Sequence, residues 1–191
     1  MSAPLRVAGR GRAGDGDVVT WSVAEGRRGR RWREVRVGSS GIVHSLLLEM
    51  APDGRFAHLE LSTPAGLATL HPEPDGTLHG NVVGAAGVAP IAGLAWVPDG
   101  LILIDRSEVA LAASAALMDG DGREAVDRSA IVVTATLEIS VVSMSAHRRG
   151  AMWTVAAAPG LAGPARELRL EIELDADGLP ILADGETWPL E

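Results

Sequence analysis

From Gly41 onward, apolar and polar residues alternate with the period of two that an extended chain imposes. Ile42, His44, Leu46, Leu48 and Met50 fall on one face, and Leu59 and Leu61 follow, alternating with His58 and Glu60. Between the runs stands Pro52-Asp53-Gly54. Pro presets the φ of a turn and Gly accepts φ > 0, so the segment reads as a hairpin. The same turn returns at Pro74-Asp75-Gly76 and Pro98-Asp99-Gly100, 22 and 24 residues further on each time. Asp177-Gly178 and Asp184-Gly185 add two more turns. This spacing suits a meander of strand pairs, and is too short for propeller blades of about 40 residues.

Two further segments alternate clearly. Ile131, Val133, Ala135, Leu137, Ile139 and Val141 share a face opposite Thr134, Thr136, Glu138 and Ser140. Taken as one strand, this segment would extend about 40 Å, enough to curve around a barrel. Between Arg166 and Leu174, Leu168, Leu170, Ile172 and Leu174 alternate with Glu167, Arg169, Glu171 and Glu173. One buried and one wet face is the mark of an antiparallel sheet. Asp105 to Leu117 breaks the pattern: Asp105 and Glu108 have capping-box spacing ahead of good helix formers, which predicts a short helix near 107–117. The expected fold is all-β with minor α, a curved antiparallel sheet or partly open β-barrel, in a single domain over 18–191. Met1 to Asp17, rich in Gly, Ala and Arg, reads as a flexible N-terminal arm. Arg27 to Arg36 holds six arginines in ten residues. It is either an anion patch or a charged edge strand, and solvated charge runs favour the edge strand.

Composition narrows the chemistry. The chain has 191 residues, 47% of them apolar and 22% charged, enough to bury a core. It has no cysteine and no lysine; all 17 basic residues are arginine. Disulfides, zinc-thiolate sites, thiol catalysis, a P-loop and a Schiff base are therefore excluded. Residues up to Val37 carry a net charge of +5 and the rest −13, on the residues of the sequence. So acidic a body excludes nucleic acid as the expected partner. Neither an apolar leader segment nor a run long enough for a membrane span is visible, and the expected location is cytoplasmic.

The five histidines, His44, His58, His71, His79 and His147, show none of the local spacings that metals favour, although three could converge through adjacent strands. No metal site and no cofactor is expected. His44, sharing a face with four apolar residues, reads as a hydrogen-bonded core or rim histidine. Asp119-Gly120-Asp121-Gly122 and Asp175-Ala176-Asp177-Gly178 lack the remaining ligands of a calcium loop and read as turns. There is no Gly-x-Ser-x-Gly elbow, and Gly80, Gly84 and Gly87 do not match a dinucleotide fingerprint. The five tryptophans are scattered, as core anchors are, and Trp96 and Trp153 could line an apolar pocket.

The order of three segments carries a resemblance. Asp75-Gly76-Thr77-Leu78-His79-Gly80 is followed by Pro90-Ile91-Ala92-Gly93-Leu94, and a late strand enters the turn Leu174-Asp175-Ala176-Asp177-Gly178-Leu179. Over most of Gly41 to Leu190 this arrangement resembles the bacterial glycolipid-binding family, which implies a β-barrel with an apolar interior and no catalytic residues. His79 stands where that family often has Trp. The expected function is binding of an apolar small molecule or lipid, with Leu46, Leu48, Trp96, Leu137, Ile139 and Trp153 as the lining. Two alternatives remain. A hydrolase or isomerase at a barrel mouth requires at least two of His44, His58 and His79 within reach of an acid. A protein–protein interaction module requires a dimer or a large exposed apolar patch.

Overall fold

The alternating segments become strands, and most of the chain is β with one helix. The computed structural model describes residues 5–96, 99–119, 125–157 and 168–190. Contacts divide the chain into two units: one of Met1–Trp96, Ala135–Leu137 and Leu182–Glu191, the other of Val97–Thr134 and Glu138–Ile181.

The first unit holds β1 (Arg6–Arg12), β2 (Val18–Gly26), β3 (Gly29–Gly38), β4 (Gly41–Met50), β5 (Phe56–Thr63), β6 (Gly66–Pro72), β7 (Thr77–Gly84) and β8 (Gly87–Ala95). They pair in chain order as an antiparallel meander, and the last strand of the chain, Ala183–Pro189, closes on β1. The Pro-Asp-Gly turns join β4 to β5 and β6 to β7, with Gly54 and Gly76 at φ of 82° and 81°. One face of this sheet is buried and built from Val19, Trp21, Trp32, Leu48, Leu59 and Leu70 with their neighbours.

Three sequence expectations change here. Arg6–Arg12, within the stretch expected to be a flexible arm, is strand β1, paired with β2 on one side and the C-terminal strand on the other. Its glycines replace the missing apolar pattern: a Cβ on Gly9 would lie 2.5 Å from the Trp21 ring, so the indole covers the bare backbone. The arginine-rich β3 is an interior strand between β2 and β4, not an edge. And Ile42 is exposed although His44, Leu46, Leu48 and Met50 are buried. A bulge explains it: Val37 pairs with Ile42 but Arg36 with His44, so Val43 is extra and reverses the facing of Ile42.

The second unit holds β9 (Leu101–Ile104), α1 (Glu108–Asp119), β10 (Ala125–Val133), β11 (Ile139–Arg149), β12 (Met152–Ala157), β13 (Leu168–Leu174) and β14 (Pro180–Ile181). The C-terminal strand Ala183–Pro189 is thus β15. Strand order is β14-β13-β12-β11-β10-β9, with β9 and β10 parallel and joined through α1. All four residues of β9 are buried, as a parallel strand covered on both faces requires. The helix is apolar nearly all round: Val109, Ala110, Leu111, Ala112, Ala113 and Met118 are buried. It touches β9 at one end of the strand order and β13 and β14 at the other, so the sheet curls around it. Ser114 Oγ donates to the Ile102 carbonyl at 2.7 Å and ties helix to strand.

The expected 131–142 strand is instead a hairpin: β10 ends at Val133, β11 starts at Ile139, and those two residues pair. Thr134 accepts the Glu138 N–H on its side chain and donates its own N–H to the Glu138 carbonyl. Leu137 takes φ +65°. Apolar Ala135 and Leu137 continue the alternation through the turn and conceal it in the sequence.

Candidate functional site

Three places in the described residues gather polar or unusual side chains. The first is the buried face of the nine-stranded sheet. There Glu34 and Arg36 of β3 and His44 of β4 are almost fully buried among leucines and tryptophans. Arg36 Nε donates to Asp17 at 2.9 Å and its Nη2 to Asp15 at 2.5 Å. His44 Nε2 is hydrogen bonded to Glu34, with side chains 3% and 0% exposed. Burying polar groups at such depth is costly unless they are hydrogen bonded, and each of the three has a partner. His44 is thus the hydrogen-bonded core histidine its sequence context implies. Trp32, on the same face, keeps a buried indole N–H without an acceptor among the described residues.

The second place is the opposite, solvent-facing side of the same sheet. Register links Val35 to Ser45, Ser45 to Ser62, Ser62 to Leu67, Leu67 to Val83 and Val83 to Val88. This row crosses six strands, and its four apolar members are exposed. A hollow of about 300 Å³ opens over the two serines, with Arg33, Leu47, Glu60 and Leu67 on its walls. Alongside runs a second row, mostly polar: Arg33, Leu47, Glu60, Thr69, Asn81 and Pro90. A third row follows: Arg31 opposite Glu49, Glu49 opposite His58, and His71 opposite His79. His58 Nε2 bonds Glu60 at 3.1 Å and His71 Nε2 bonds Glu73 at 3.0 Å. In the turn between β6 and β7, Asp75 accepts from the Thr77 hydroxyl at 2.6 Å and its N–H at 3.0 Å. Those bonds, with a smaller contribution from the charge of His79, hold the Asp75 carboxyl below its ordinary pKa. Among the described residues no group of three His, Asp or Glu is placed to hold a metal ion.

The third place lies on the solvent face of the six-stranded sheet, where Ser145, His147, Arg149, Thr154 and Arg169 border an open hollow of about 800 Å³. Arg169 is already paired with Glu171 at 2.8 Å.

The six lining residues expected from sequence are divided between the two units. Leu46 and Leu48 are buried on β4; Trp96, half-buried, meets the Phe56 ring edge-on at 5.6 Å. Leu137 is buried in the β10–β11 turn, Ile139 is half-buried at the start of β11, and Trp153 is buried on β12 beneath Arg148. Leu46, Leu48, Trp96 and Leu137 belong to one unit, Ile139 and Trp153 to the other. Of the six, only Leu46 borders the hollow over Ser45 and Ser62. The condition set for a hydrolase is met residue by residue, by His44 with Glu34 and His58 with Glu60. The two pairs lie on opposite faces of the sheet, however, and make no common site. Of the calcium-like stretch at 119–122, Asp119 ends α1 and the rest lies outside the described residues. No helix is long and apolar enough to cross a membrane among the described residues. No protein-family model matches the chain, and neither a curated protein nor a solved structure matches it.

Proposed function

We propose that the protein binds an amphiphile of the lipid or glycolipid class, without turning it over, across the solvent face of the nine-stranded sheet. The observation that carries this is the register-aligned row from Val35 to Val88, apolar at Val35, Leu67, Val83 and Val88, with the hollow over Ser45 and Ser62 between Val35 and Leu67. Five inter-strand spacings give it a length of about 24 Å along the sheet. It is one residue wide and flanked by a mostly polar row, so it suits a chain molecule with a hydrophilic end. A protein partner would need roughly 800 Å² with a dry centre, which a stripe does not offer. The apolar chain gains by burying Leu67, Val83 and Val88, while Glu60 and Asn81 stand in reach of head-group hydroxyls. The family resemblance noted in the sequence points to the same ligand class.

The test is native mass spectrometry on protein purified from cells, with organic extraction, and titration with octyl glucoside. The expected result is a mass excess that disappears on denaturation, a lipid in the extract, and saturable detergent-monomer binding that Leu67→Glu abolishes while circular dichroism stays unchanged. A bare polypeptide mass together with no saturable binding would sink the proposal and favour the interaction-module alternative.

A further inference from the structure

The hollow over Ser45 and Ser62 gathers hydrogen-bond donors that no other described residue uses. The two serines stand directly opposite each other on β4 and β5. Such pairs hold their Cβ atoms about 4.5–5.5 Å apart, close enough for two hydroxyls to meet one ligand group. Arg33 pairs with Leu47, two residues along β4 from Ser45 and on the same face. That diagonal, roughly 7–8 Å, is within reach of a long side chain, and Arg33 forms part of the wall of the hollow. Among the described residues the side chains of Arg33, Ser45 and Ser62 make no hydrogen bond or ion pair. Other arginines of β3 are occupied: Arg30 by Glu25, Arg31 by Glu49, and Arg36 by Asp15 and Asp17.

The carboxylates around the hollow have partners of their own. Glu60, on its wall, accepts from His58 Nε2 at 3.1 Å. Glu34 is turned to the buried face, where it bonds His44, and Glu49 is held by Arg31. What the hollow offers a ligand is therefore chiefly donors. A guanidinium has donors only, in a planar fork that matches the oxygens of an anion. A neutral sugar hydroxyl both donates and accepts, whereas a phosphate oxygen only accepts. With two serine hydroxyls added to the fork, the donors come from three side chains, which suits a tetrahedral phosphate better than a flat carboxylate.

The row is also polarised from end to end. Past Val35 it continues through Thr20 of β2 to Arg10 of β1, which faces Glu186 of β15. In the other direction it runs onto Leu67, Val83 and Val88. We infer that the amphiphile carries a phosphate ester at its hydrophilic end, bound by Arg33, Ser45 and Ser62, with its chain over Leu67, Val83 and Val88. The inference rests on the reading of this face as an amphiphile site.

The test is calorimetric titration of the full chain with octyl phosphate and octyl glucoside, which share one chain and differ in head group, each below its micelle concentration. Octyl phosphate should bind at least about tenfold more tightly, and added salt should narrow the gap. Arg33→Gln should remove the advantage, while Arg55→Gln, before the start of β5, should keep it. Circular dichroism of both variants checks the fold. Inorganic phosphate, which lacks the chain, should bind far more weakly than octyl phosphate. Equal affinity for the two detergents, or an advantage that survives Arg33→Gln, would overturn the inference and leave the amphiphile reading standing. Inorganic phosphate binding as tightly as octyl phosphate would overturn it in favour of a free anion. Binding of neither detergent would sink the amphiphile reading itself, and this inference with it.

Discussion

Arg36 shows how far a residue's type can mislead about its place. It belongs to a run of arginines that reads as a solvated edge, yet its side chain is 2% exposed and clamped by Asp15 and Asp17. The parity was present in the sequence: Trp32, Glu34 and Arg36 share one face of β3, and Arg31 and Arg33 the other. What the sequence lacked was the partner, because Asp15 and Asp17 sit in the loop between β1 and β2, inside the segment that looked unstructured. Arg36→Ala removes a buried side chain together with its charge-assisted hydrogen bonds to Asp15 and Asp17. It should cost about 1.5–3 kcal/mol of stability in urea unfolding, while Arg33→Ala, on the solvent face, should stay within about 0.5 kcal/mol. Arg36→Lys should recover little, because an ammonium cannot present the guanidinium fork to two carboxylates. Equal, small effects for Arg36→Ala and Arg33→Ala would show that the cluster is not a stabilising clamp.

At the scale of elements, existence was more legible than boundaries. The helix near 107–117 was legible from its alanines and leucines, but its capping residue was not. The expected cap was Asp105 with Glu108; the observed cap is Ser107, whose Oγ accepts the Ala110 N–H at 3.0 Å. Three residues on from the cap is the position an N-cap satisfies, and Ser107 itself is buried, so water cannot replace the lost oxygen. Ser107→Ala should cost about 1 kcal/mol and Ser107→Asp should keep most of the stability, measured by thermal or urea melts. A neutral Ser107→Ala would mean that packing alone holds the helix start. The hairpin from His44 to Leu61 and the β13 alternation are legible because one wet face leaves a clean period of two. The β10–β11 hairpin was missed because an αL turn at a leucine leaves no glycine to mark it. The strand β1 was missed because Gly9 and Gly11 give no apolar alternation.

At the scale of the molecule, the functional surfaces were the least legible, and for a physical reason. Alternation says which face a side chain takes, but not which residue of the neighbouring strand stands beside it. The row from Val35 to Val88 and its hollow exist only through lateral register across several strands. The same sheet ends on β8, whose apolar residues Val88, Ala89 and Ile91 line an edge. Such an edge invites pairing with a second chain unless something blocks it. Pro90 is placed to do so: it pairs with Asn81 within the ladder, and a proline tolerated in an edge strand turns its nitrogen away from the sheet. The bulge between Leu78 and Gly80, facing a stretch of β8 that includes Gly93 at φ +68°, further distorts the strand. Pro90→Val restores an outward N–H at the centre of this edge without touching the buried face. The variant should self-associate where the parent does not, seen as a higher mean mass in sedimentation or light scattering at equal concentration. If parent and variant share one mass across the concentration range, the edge is guarded by its twist and bulge, and Pro90 is incidental to it.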